Sequence, residues 1–166
     1  MAVTSNVKKF TIRHKQESVD AAYELRRYPS GVSPSHNMQK VTFRNMYGQY
    51  HGVCVNSALK FIWKWNFIEE SDLIEIWKTH IYDKIIQYKD DIFIINTYFP
   101  GLGWVEAECY LGSPNQFDGK AFPYDGPGST KLTSFEIHWI EKDGIILNSP
   151  AALASQTGTS VNLSKG

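Results

Sequence analysis

The sequence predicts an α+β domain with a helical N-terminal part followed by a C-terminal antiparallel sheet. Three observations carry that expectation. Two segments in the first half repeat apolar residues at helical spacing. From residue 90 onward, short runs rich in β-branched and aromatic residues replace them. The breaks between those runs are rich in Gly, Pro, Asn and Asp. A length of 166 residues fits one domain, large enough to bury a core without staples. That domain is expected to span 1–166, with 1–40 as an N-terminal extension and 150–166 as a mobile tail.

The elements follow in order. Val7 to Arg13 reads as a strand. Ser18 to Tyr28 reads as a helix that stops before Pro29. Pro29 to Asn37 is a Ser/Pro/Gly loop, and Val41 to Met46 a short strand. Val55, Ala58, Leu59 and Ile62 fall at the i, i+3, i+4, i+7 positions of one helix face. Leu73, Ile76, Trp77, Ile81 and Ile85 make a second stripe, with Ser71 as its N-cap. Ile92 to Ile95 and Val105 to Leu111 read as strands, and Gly112 to Thr130 as a long surface loop. Ser134 to Ile140 and Ile145 to Asn148 are expected to form a hairpin through Lys142-Asp143-Gly144, pairing Glu141 with Ile145 and His138 with Asn148.

Seventeen basic and seventeen acidic residues cancel, so no general attraction to nucleic acid or to an anionic membrane is expected. No run approaches the ~18 apolar residues of a membrane span. The first fifteen residues lack the apolar core of a signal peptide. Two cysteines are too few for a disulfide scaffold. A cytoplasmic location is expected, in host cytoplasm if the protein is viral. The Asn162-Leu163-Ser164 sequon then carries no glycan.

Gly48-Gln-Tyr-His-Gly-Val-Cys54 places a cysteine where a glycine-containing loop is expected to become a helix. The unpaired N–H groups and dipole of a helix start favour thiolate over thiol. Those N–H groups, with Gln49 as a side-chain donor, suit a developing oxyanion. His138 lies in Phe135-Glu-Ile-His-Trp, where alternation sends it to the face opposite Phe135, Ile137 and Trp139. The hairpin register sets Asn148 beside His138, where an amide orients the imidazole. Taken singly, Cys54 is a small buried residue, His138 a structural histidine and Gln49 a loop residue. Together they make a nucleophile, a base and an orienting group. His51 with Cys54 lacks a second ligand pair for zinc, and Gly126 to Lys131 lacks the order of a phosphate loop.

Cys-Val-Asn-Ser-Ala-Leu59 opening a helix, followed by a late histidine strand and a nearby Asn, resembles the papain-like cysteine proteases. It is most similar to small viral leader proteases of the foot-and-mouth-disease type. The resemblance implies a helical half, a β half and an active-site cleft between them. It implies Cys54 as nucleophile, His138 as general base and acid, Asn148 as orienting group and Gln49 as oxyanion donor. The terminal Lys165-Gly166 is similar to the bond such enzymes cut in themselves. Trp104 and Trp139 are expected in the substrate cleft.

The expected function is peptide-bond cleavage by thiol acyl transfer on a protein or peptide substrate, with no cofactor and no metal. Two rival readings stand beside it. One uses the same Cys/His logic for deamidation or transglutamination. The other is a non-catalytic viral structural or interaction protein.

Overall fold

The computed structural model describes residues 2–112 and 132–146. Among them one antiparallel sheet of nine strands and one helical segment dominate. The strands are β1 (Val3–Thr4), β2 (Thr11–His14), β3 (Tyr23–Glu24), β4 (Gly31–Arg44), β5 (Tyr50–Glu69), β6 (Ile92–Phe99), β7 (Gly103–Leu111), β8 (Leu132–Glu141) and β9 (Ile145–Ile146). The sheet order is β3-β2-β6-β7-β8-β5-β4, with β1 on β7 and β9 on β5. The helical segment joins β5 to β6. It winds as α1 (Glu70–Leu73), a π-helical stretch (Ile74–Tyr82) and α2 (Asp83–Tyr88).

A helical first half is therefore corrected to sheet. Val55, Ala58, Leu59 and Ile62 lie on β5, a strand of twenty residues. Four apolar residues matched helical spacing, but the governing pattern lies just beyond them. Phe61, Trp63 and Trp65 alternate with Ile62, Lys64 and Asn66, and all three aromatics are fully buried. Bulky aromatic and β-branched side chains pack well on a pleated surface with one buried face. Ser18 to Tyr28 forms one 3-10 turn (Val19–Ala21) and then β3, instead of a helix. The expected loop over Pro29 to Asn37 mostly belongs to β4, where Pro34 is tolerated because β4 is an edge strand. Residues 11–44 thus contribute three strands, two of which overlap the strands expected at Val7 to Arg13 and Val41 to Met46.

The later elements agree better. The helix expected over Leu73 to Ile85 is present, but Glu69 takes the N-cap position and Ser71 lies inside α1. Strands at Ile92, Val105 and Ser134 fall within β6, β7 and β8. The closing hairpin does not form as expected. Ile146 pairs with Asn56 and Ile145 with Ser57, so β9 extends β5. At His138 both edges of β8 are occupied: Ile62 is its partner on one side, and Gly112 N donates to His138 O at 2.7 Å on the other. A strand has two edges, and at His138 both are taken by described residues. Asn148 itself, with 147–166 and the 113–131 part of the expected loop, lies outside the described residues.

The sheet curls around its own core. Trp63 on β5 donates Nε1–H to Thr97 Oγ1 on β6 at 2.8 Å. Those strands stand three places apart in the order, which is roughly 14 Å in a flat sheet. Only a rolled sheet brings them into contact. Phe61 meets Phe99 at 5.4 Å and Phe10 meets Trp63 at 5.7 Å. Trp65 Nε1 reaches Arg27 O at 3.1 Å. Phe93 and Trp139 close the centre at 5.5 Å. The helical segment packs Leu73, Ile76 and Ile81 into this core, and Trp77 lies 6.1 Å from Phe135. No described helix is long and apolar enough to cross a membrane.

Candidate interaction surface

The expected thiol constellation is not assembled. Cys54 sits within a strand, opposite Lys40, so no helix N-terminus activates it. His138 faces Ile62, eight residues further along the same strand. At about 3.3 Å per residue, sulfur and imidazole are roughly 25 Å apart. His138 Nε2 lies 3.1 Å from Glu136 Oε2 on its own strand, while its buried Nδ1 finds no hydrogen-bond partner among the described residues. Gln49 accepts from Asn45 Nδ2 at 2.8 Å in a turn. Trp139 is core rather than cleft wall, and Trp104 packs half-buried on Phe10 and Tyr98. Cys109 is buried, and desolvation aided by the Glu141 carboxylate pushes its thiol well above the usual range. A papain-like protease of the leader type is thereby overturned, and with it the expected hydrolase chemistry.

What the fold builds instead is an arm. Strand β8 last pairs with β5 at Lys60, and β9 supports β5 only at Asn56 and Ser57. Beyond that point β4 and β5 continue as a two-stranded ribbon to Arg44 and Tyr50. Six residues of β5 past Asn56 extend roughly 20 Å. A register shift between Gln39 and Lys40 leaves Val55 as an extra residue, a bulge that re-aims the ribbon where it leaves the body.

The end of the arm is an ordered turn. Asn45 Oδ1 accepts from Tyr47 N and Gln49 N, both at 3.0 Å. Gly48 N donates to Asn45 O at 2.9 Å, and Arg44 Nη1 donates to Gly48 O at 2.8 Å. Gly48 has φ +77, a conformation that glycine adopts without strain. Asn45 suits the first turn position because its side chain bonds the backbone two residues on. This turn lifts Met46 and Tyr47 outward, 86% and 82% exposed.

Along the ribbon the two faces differ. Val41 opposes Val53, and Phe43 stacks on His51 at 5.0 Å. The other face carries Lys40, Thr42 and Arg44 opposite Cys54, Gly52 and Tyr50. Val41, Phe43 and Tyr50 are all substantially exposed, as is Met38. A hairpin with no third strand is marginal in water, and clustered exposed apolar side chains on one mark a contact surface.

The sequence carried a signal for this region. From Leu25 to Ile68 there is no Asp or Glu, against Arg26, Arg27, Lys40, Arg44, Lys60 and Lys64. From Glu69 to Asp91 there are seven acidic residues and three lysines. A net charge of zero hid this polarity. Some of it is spent internally: Arg26 lies 3.5 Å from both Asp72 and Glu75. Burial raises the Glu17 carboxyl, but hydrogen bonds from Lys84 and the His14 backbone outweigh that and hold it below the usual range. The fully buried His14 ring lies 2.6 Å from Asp90, tying β2 to the end of the helical segment.

No family model matches the chain. No curated protein matches either. Among solved structures, the virion of a native gene transfer agent particle matches at 13% identity, covering 88% of this chain and 100% of that one, with a TM-score of 0.44. A sheath/tube terminator of the PVC extracellular contractile injection system in its extended state matches at 13% identity over 88% of this chain and 98% of that one, with a TM-score of 0.37. The tube terminating cap of the anti-feeding prophage matches at 13% identity over 90% and 95%, with a TM-score of 0.36. Those structures are components of particles; at TM-scores below 0.5 no role passes from them to this chain.

Proposed function

We propose that this chain is a non-catalytic structural subunit of a multiprotein particle, and that it engages a neighbouring protein through the β4–β5 arm. The observation that carries this reading is the ordered, apolar end of the arm. Met46 and Tyr47 stand almost fully exposed on a turn held by hydrogen bonds centred on Asn45 and Gly48. Solvating such side chains on a built turn makes no sense for folding alone, because large aromatic and methionine side chains gain only from being covered. A protein contact covers them and adds β4 backbone groups that have no further strand neighbour in the described sheet.

A photo-crosslinking amino acid at Tyr47, in the protein expressed in its own source cells, tests this. The expected result is a discrete protein adduct at Tyr47 and little at Val19, which is 72% exposed but lies far from the arm in sequence. Equal yields at the two positions would overturn the reading.

A further inference from the structure

We infer that the arm of one copy seats, head to tail, on the outer side of the helical segment of a second copy. This rests on the reading of the arm as a docking element and names its partner. Three observations point to the same surface.

First, the helical segment keeps an uncovered stripe. Ile74, Lys78, Tyr82 and Ile86 recur every four residues and all are exposed. Apolar residues on the solvent side of a helix are unusual when its other side already packs a core. Second, the dimensions are of the same order. From Ile74 to Ile86 the helix spans less than the ~18 Å of an ideal α-helix, because Ile74–Tyr82 is π-helical and rises less per residue, against an arm of roughly 20 Å. Third, the charges are complementary. The arm offers Lys40 and Arg44 and carries no acid, whereas the helical segment opens with exposed Glu69 and Glu70; Asp83 is already paired with Lys78 of the stripe at 3.1 Å. Opposite charge around a shared apolar centre steers encounter and fixes orientation. Within one molecule neither surface covers the other, because both are exposed.

An interface joining two different patches is heterologous. It leaves one arm and one helix open at the ends of any pair, so copies add until a ring closes or a filament grows. An arm-to-arm contact would instead stop at a dimer.

The test uses the full chain and two variants altered only at exposed positions: Met46→Ser with Tyr47→Ser, and Tyr82→Ser with Ile86→Ser. Sedimentation velocity at ~100 µM reads the mass, since an interface of micromolar Kd is then largely occupied. Near-UV circular dichroism checks that each variant keeps its fold. The unaltered chain is expected to sediment heavier than a dimer, and each variant alone as a monomer. Mixed in equal amounts, the variants are expected to form dimers and nothing larger, because each pair retains one intact arm and one intact helix. A helix variant that assembles like the unaltered chain would overturn the inference. So would an unaltered chain that stays monomeric. In that second case, adducts to a different protein at Tyr47 would keep the arm as a docking element, whereas no preference over Val19 would end both readings.

Discussion

Tyr23 and His80 stack face to face at 3.6 Å, with ring planes 5° apart. Burial there holds the imidazole below its usual pKa of 6.5; Lys84 adds to this, while Glu75 and Glu17 oppose it. As pH falls below about 6.5 the unfolded chain takes up the proton first, so folding weakens on acidification. His80→Phe keeps an aromatic ring on Tyr23 and removes that titration. Urea unfolding measured against pH is expected to show a shallower loss for the variant than for the unaltered chain just below pH 6.5. Glu17 acts in a separate, lower window. Its depressed carboxyl stabilises the fold above its ordinary value of 4.5, and that contribution fades as pH drops through its still lower folded value. The sequence placed His80 as a partly buried packing residue but showed neither shift, because much of the environment that shifts each group comes from other elements.

The arm shows the same limit at the scale of an element. Asn45-Met-Tyr-Gly48 and Lys142-Asp-Gly144 both have the chemistry of a tight turn. Local propensity favoured a hairpin at the second, yet the long hairpin formed at the first. The segment after Lys142 instead lies along β5 near Asn56. Turn residues state that the chain can reverse, while the choice of strand partner is made by residues far away in sequence. Because Gly48 has a positive φ, Gly48→Ala strains the turn by about 1 kcal/mol. The arm makes few contacts with the core, so this cost is local. Hydrogen exchange is expected to quicken at residues 45–51 and stay unchanged in β8, with little change in Tm.

For the whole molecule, stability and association are expected to separate. Trp63 is fully buried, bonded to Thr97 and packed against Phe10, Trp65 and Trp139. Trp63→Ala is expected to cost about 3–5 kcal/mol by leaving a large void and removing the hydrogen bond to Thr97. The exposed pair Met46→Ser with Tyr47→Ser is expected to stay within ~0.5 kcal/mol of the unaltered chain, since those side chains touch solvent. Denaturant unfolding of both proteins checks the contrast. The rolled sheet explains it. Phe61, Trp63, Trp65, Phe135, Ile137 and Trp139 point to one side and meet β6 across the curl, while the ribbon beyond Asn56 runs past that core.

The sequence by itself determined the strands at Ile92, Val105 and Ser134, the helical stripe from Leu73 to Ile85, and the inward alternation around His138. Each is a periodicity readable within ten or so residues. Only the tertiary structure decided that β9 pairs with β5, and that Cys54 and His138 lie roughly 25 Å apart. Those outcomes depend on which distant edge satisfies each backbone group, and on a curl that buries three tryptophans together. Short-range spacing carries no record of either.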